Sequence, residues 1–102
     1  MNISEYLEGT NLTLVLEGSF DEISSPDIED KVEEVLSRDV ESVTLNLSKV
    51  RYISSAGIRV LIVAHKKAVK LGKRVLIGEM SVKVREIIEM VGIMPLFAGP
   101  GR

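Results

Sequence analysis

The 102-residue sequence contains no cysteine, which excludes disulfides, thiolate metal sites and a cysteine nucleophile. Its single histidine excludes a multi-histidine metal cage and argues against a serine–histidine triad. Tryptophan is absent and aromatic residues make up only 4%, too few for a platform that stacks nucleic-acid bases. No apolar run approaches the roughly 20 residues needed to span a bilayer. The opening residues, Met1-Asn2-Ile3-Ser4-Glu5, lack the basic and apolar regions of a signal peptide. Excess positive charge is missing too: 13 basic against 15 acidic residues leave a net charge of −2. That gives no electrostatic footprint for nucleic acid or an anionic membrane. The expectation is a cytoplasmic protein that touches neither directly.

The residues that are present describe one folded domain. A hydrophobic fraction of 45% and a charged fraction of 27% suit a soluble globular chain with a single core. The domain is expected to span residues 1–98, with the tail Gly99-Pro100-Gly101-Arg102 frayed. Short apolar runs alternate with longer amphipathic ones, the pattern of an α/β domain. Residues 2–8 read as a weak strand and Gly9-Thr10-Asn11 as a turn. Leu12 to Leu16 read as a buried strand stopped by Gly18, closing a hairpin. Ser24-Ser25-Pro26-Asp27 signals a helix start, with serine as N-cap and proline at the first helical position. Ile28, Val32, Val35 and Leu36 form its apolar face.

Val43 to Leu47 is the next strand. A second helix runs from near Ser55 to about Leu71, with Ile58, Leu61, Ile62, His65 and Val69 sharing a face, and Gly72 stops it. Val75 to Ile77 is a further strand. Ser81 caps a third helix with Val84, Ile87, Ile88 and Val91 on one face, ended by Gly92. Met94 to Phe97 reads as a last short strand. The order is β-β-α-β-α-β-α-β: a mixed, mostly parallel sheet of four to five strands with three main helices.

The segment richest in chemistry is Tyr52-Ile53-Ser54-Ser55-Ala56-Gly57-Ile58, where a strand gives way to a helix. Sites in open α/β sheets favour the carboxyl ends of strands. A helix start offers free N–H groups and partial positive charge, so a phosphate on a serine there is stabilised locally. Ala56 and Gly57 add little bulk, which would let another protein's active site approach closely. Serine is equally a common helix cap, and from the pattern alone both readings of Ser54 and Ser55 stand.

Four motifs in order carry a resemblance over nearly the whole chain. Gly18-Ser19-Phe20-Asp21 looks like a glycine-x-apolar-aspartate after a second strand, and Leu45-Asn46-Leu47 like a third strand. Tyr52 to Ile58 is similar to an aromatic–apolar–Asp–Ser–Ser/Thr/Ala–Gly–apolar signature. Ser81 to Ile93, followed by Leu96-Phe97, looks like a last helix and strand. Together they resemble the bacterial anti-sigma factor antagonists, small proteins of the STAS fold. The resemblance implies that Ser55 is phosphorylated by a partner serine kinase that is also the anti-sigma factor. The unphosphorylated antagonist binds this kinase and frees the sigma factor, and a separate serine phosphatase restores it. It implies no enzymatic activity and no cofactor of its own, since ATP and magnesium serve the kinase. Two departures stand out. Ser54 occupies a position where the family often has aspartate, making it the runner-up acceptor. Ala56 stands where a second hydroxyl is common.

The same resemblance makes Asp21 a contact or site-organising residue, where the residue pattern alone reads it as a turn or cap. Ser19 and Ser24 could line the same surface, so the expected partner-binding set is Asp21, Ser19, Ser24, Ser54, Ala56, Gly57 and Ile58. No metal is expected, because Asp21 alone cannot supply several converging oxygens. His65 reads as structural, and Lys66, Lys67, Lys70, Lys73 and Arg74 as a solvated face complementing the helix dipole. A monomer suits a module that must leave one partner quickly. The alternative within the fold is a STAS scaffold or regulatory subunit of a stress-sensing assembly or transporter. A small enzyme is disfavoured: no glycine-rich phosphate loop is present, and His65 lies about 15 Å along the helix from Ser55.

Overall fold

The computed structural model describes residues 1–97. β1 (Asn2–Glu8) and β2 (Asn11–Phe20) form a hairpin, followed by α1 (Ser25–Leu36), β3 (Ser42–Ile53), α2 (Ser55–Lys70), β4 (Arg74–Met80) and α3 (Val82–Val91). The strands lie side by side in sequence order, β1 antiparallel to β2 and the β2–β3 and β3–β4 pairs parallel. This is the expected mixed, mostly parallel sheet, with four strands and three main helices.

The core follows from strand alternation. Leu12, Leu14 and Leu16 of β2 and Val43, Leu45 and Leu47 of β3 are buried, and the residues between them are not fully so. Parallel register stacks Leu12 on Val43 on Val75, and Leu14 on Leu45 on Ile77. Both crossovers step the same way across the sheet, so right-handed connections put α1 and α2 on one face. Their mutual ion pairs, Arg59–Glu29 at 3.0 Å and Lys67–Glu33 at 3.0 Å, agree. Ile28, Val32, Val35 and Leu36 of α1 are all buried against the shared core, as their spacing predicts.

Several expectations need correction. Gly18 does not stop β2, which runs on to Phe20. Gly18 takes a positive φ of 129°, a conformation that costs glycine little, and the register with β3 shifts on either side of it. β3 also runs past Leu47, so that Ser19 pairs with Tyr52 and Phe20 with Ile53. The buried stripe of α2 is Gly57, Ile58, Val60, Leu61, Ala64 and Ala68 rather than one ending at Val69, which is exposed. Small alanines, Ala64 and Ala68, occupy the buried stripe of its second half. Val91 of α3 is likewise half exposed, while Val84 and Ile88 are buried.

Met94–Phe97 is a 3-10 turn, not a strand. Pro95 has no N–H to offer a ladder, and the turn closes instead with Leu96 N donating to Ile93 O at 3.0 Å. Phe97 is buried and meets His65 edge-to-face with ring centres 5.8 Å apart, which gives that histidine a packing role. The tail expected to fray, residues 99–102, lies outside the described residues.

Candidate functional site

The two parallel strands β2 and β3 end level with each other, and each hands directly to a turn or helix. Ser54 N donates to Phe20 O at 2.9 Å, which ties the start of α2 to the end of β2. The Ser54 backbone is extended, with φ −90° and ψ 176°, and its side chain accepts from Gly57 N at 3.4 Å. Ser54 is therefore the N-cap of α2, and it is buried. Its carbonyl accepts the first helical bond, from Ile58 N at 2.9 Å. Ser55 is the first helical residue and is exposed. The adjacent serines thus divide two tasks: one hydroxyl is spent on the helix, and the other faces outward where the helix dipole is positive.

Gly57 serves a different purpose from the one its small size suggests in sequence. It is buried, so it offers no surface to a partner. A Cβ there would lie 2.7 Å from Ile53 Cγ1, 2.8 Å from Phe20 O and 3.0 Å from Phe20 Cδ1. The glycine lets α2 start directly against the ends of both strands. Ala56 is half-buried beside it.

Asp21, Ser24 and Ser19 form one turn after β2. Asp21 Oδ1 accepts from Ile23 N at 3.0 Å and from Ser24 N at 3.1 Å. Ser24 Oγ donates to Ser19 O at 2.7 Å and accepts from Asp21 N at 3.0 Å. Hydrogen bonds from the Ser24 backbone and then the Ile23 backbone hold the Asp21 carboxyl below its ordinary range. Asp21 therefore organises the turn as an ionised carboxylate. Ser24 sits at the N-cap position of α1 yet makes no side-chain cap bond, because its hydroxyl is committed to this turn; Pro26 is the second helical residue. The turn carries Ile23 to the surface, 88% exposed.

A groove of about 510 Å³ opens beside Ser55, between the start of α2 and the outer side of α3. Its lining includes Tyr52, Ile53, Ser54, Ile58, Lys83, Ile87 and Val91. Ile58 contributes to this groove although it is largely buried. The α3 side chains were not legible as site residues, since nothing in the local spacing relates them to Ser55. They arrive because Ser81 anchors the start of α3 to the end of β3, with Ser81 Oγ donating to Val50 O at 2.7 Å.

Two members of the basic cluster at the end of α2 are engaged elsewhere. Lys67 pairs with Glu33, and Lys73 Nζ donates to the carbonyls of Leu36 and Arg38 at 2.6 and 2.7 Å, closing the end of α1. Asn46 bonds within its own strand, its Oδ1 accepting from Ser48 N at 2.9 Å beside a shift in the β3–β4 register. Among the described residues no three His, Asp or Glu side chains converge as metal ligands, and no helix is long and apolar enough to cross a membrane.

The STAS domain family model matches residues 4–100. The chain is 27% identical over 86 residues to BtrV of Bordetella bronchiseptica, described as a candidate anti-sigma factor antagonist, covering 84% of this chain and 74% of BtrV. An anti-sigma factor antagonist from Mycobacterium paratuberculosis has the same fold, with a TM-score of 0.84 and 18% identity over 94% of this chain and 81% of its own. The Bacillus cell fate determinant SpoIIAA in its phosphorylated form superposes with a TM-score of 0.72 and 14% identity, over 93% of this chain and 87% of its own. Its unphosphorylated form gives 0.80 and 15%, over 93% and 84%.

Proposed function

Because the chain belongs to the STAS-domain family, we propose that it is an anti-sigma factor antagonist, a non-catalytic module that switches partners through Ser55. The unphosphorylated module, spanning residues 1–98 and acting as a cytoplasmic monomer, binds an anti-sigma factor serine kinase and releases the sigma factor. The observation that carries this reading is the division of labour between the two serines. Ser55 is exposed at the first turn of a 16-residue helix, and Ser54 is buried and occupied as its cap. Ser55 is accordingly the acceptor and Ser54 is not.

In the transfer step, Ser55 Oγ attacks the γ-phosphorus of ATP held by the kinase. The new P–Oγ bond replaces the bond to the departing ADP, and the hydroxyl proton passes to a base of the kinase. A phosphatase reverses the state by adding water to the same phosphorus, which breaks the P–Oγ bond, releases inorganic phosphate and returns a proton to Ser55 Oγ. Phosphoserine carries a charge of about −1.5 to −2 at neutral pH. Within a tight interface it must be desolvated and it repels the nucleotide phosphates. A penalty of about 3 kcal/mol weakens binding roughly 150-fold. The turn that presents Ser19 and Asp21 and the helix start at Ala56 and Ile58 complete the contact surface, with Asp21 as its organiser and the buried Ser24 supporting the turn from within.

The test is to immobilise the wild-type protein and Ser55→Asp and to capture partners from the native cell extract. Retention of an ATP-binding serine kinase by wild type and not by the variant is the expected result. Equal retention of one transporter or scaffold protein by both would replace the sigma-factor reading with a scaffolding one.

A further inference from the structure

The groove beside Ser55 has an apolar floor and a single charge. Ile53, Ile58, Ile87 and Val91 line it together with Tyr52, and Lys83 is the one ionisable side chain of Lys, Arg, Asp or Glu type among its lining residues. Lys83 lies in the first turn of α3 and is exposed. It makes no ion pair among the described residues, whereas the neighbouring cation on α2, Arg59, is tied to Glu29 at 3.0 Å. Asp21, across the strand ends, is held by its own turn. An anion attached at Ser55 thus shares its groove with one uncommitted cation, on the α3 side.

We infer that Lys83 is the internal counter-charge of a phosphate on Ser55, joining the start of α2 to α3 across the groove. The inference rests on the reading of Ser55 as the phosphoacceptor and extends it to how the phosphorylated state is held. A phosphoserine there has three acceptor oxygens, and a lysine ammonium has three donors. The first backbone N–H groups of α2 have no intrahelical acceptor and favour the same anion. Phosphorylation then changes the surface in two ways. It adds negative charge, and it bridges the mouth of an apolar groove that stands open in the unphosphorylated protein. Lys83 loses its availability to a partner carboxylate in the same event.

The test needs neither kinase nor partner. The full chain is made with phosphoserine encoded at position 55, alone and combined with Lys83→Met, Lys83→Arg or Lys66→Met. The phosphorus NMR shift is then followed through the second ionisation of the phosphate, which lies near pH 6 in the absence of a counter-charge. The expected result is a midpoint roughly half a unit lower in the Lys83 protein than in Lys83→Met. Lys83→Arg and Lys66→Met should keep the low midpoint, and 1 M salt should remove most of the difference. Equal midpoints for wild type and Lys83→Met at low salt would overturn the inference. That outcome leaves the acceptor role of Ser55 standing. Failure of a kinase to modify Ser55 would instead overturn the acceptor role and leave the titration intact.

Discussion

At the residue scale, three neighbours on one strand–helix junction have separable effects. Gly57 sits where any side chain collides with the Phe20 carbonyl and the Ile53 side chain. Gly57→Ala gains about 1 kcal/mol of helix propensity but overpacks a backbone contact, which typically costs about 1–3 kcal/mol. Because one colliding atom is backbone, the overpacking wins, and the melting temperature should fall by roughly 5–10 °C. Ser54→Ala removes the N-cap of α2 and should cost about 1 kcal/mol. Ser55→Ala removes an exposed hydroxyl, so its melting point should stay within the error of thermal unfolding while phosphate incorporation by the kinase disappears. A melting point for Ser55→Ala as low as that of Ser54→Ala would contradict this assignment of cap and acceptor.

At the scale of elements, the strand most open to loss is β1. It is an edge strand with Tyr6 and Leu7 exposed, and besides its pairing to β2 it is held through Glu5 to α1 and to the turn that follows that helix. That carboxylate takes two bonds from Arg38, at 2.9 and 3.3 Å, and an ion pair from Lys31. Hydrogen bonds from Arg38 and then Lys31 pull its pKa from 4.5 down to about 2. The lowered value fixes the sign. The contribution is present above pH 4.5, the unfolded value, and is lost as pH falls toward about 2. Hydrogen exchange should therefore show β1 amides losing protection over this range before those of β3. Glu5→Gln should reproduce the loss at neutral pH. Retained protection of β1 in Glu5→Gln would show that the hairpin pairing alone suffices.

The same scale explains what could be read in advance. α3 was legible because both its ends are local chemistry: Ser81 accepts from Val84 N at 3.3 Å, and Gly92 ends the helix at φ 82°. α1 was legible in its apolar spacing but not in its cap, since the Ser24 hydroxyl was drawn away by Asp21 and Ser19, a contest that sequence order does not display. Met94–Phe97 was misread because four apolar residues fit a strand or a turn equally well, and Pro95 and the packing of Phe97 on His65 decided it. The Ser54-Ser55 junction was visible as a motif. Lys83, Ile87 and Val91 were not, because only the long course of β3 and the anchoring of α3 bring them to the same groove.

For the whole molecule, the proposed phosphorylation of Ser55 should require no change of fold. The seat of Ser55 is fixed by Ser54 on Phe20, by Gly57 against both strands, and by the paired ends of β2 and β3. An added negative charge at this helix start is favoured by about 0.3–1 kcal/mol. Ser55→Asp should therefore melt within a few degrees of wild type. Its backbone amide shifts should change around residues 52–58 and at the start of α3, and not across β1. Widespread displacement of core amides would show a conformational switch instead.

The tight seating of Gly57 also bears on time. A module whose two states share one backbone does not wait on the microsecond-to-millisecond rearrangements of loops and domains. If Ser55 is the switch proposed above, how long the module remembers a signal is set by the lifetime of one phosphate ester, hence by the abundance of the enzymes that write and erase it. On that reading, a cell would lengthen or shorten the memory by expressing less or more phosphatase, with no change in this chain.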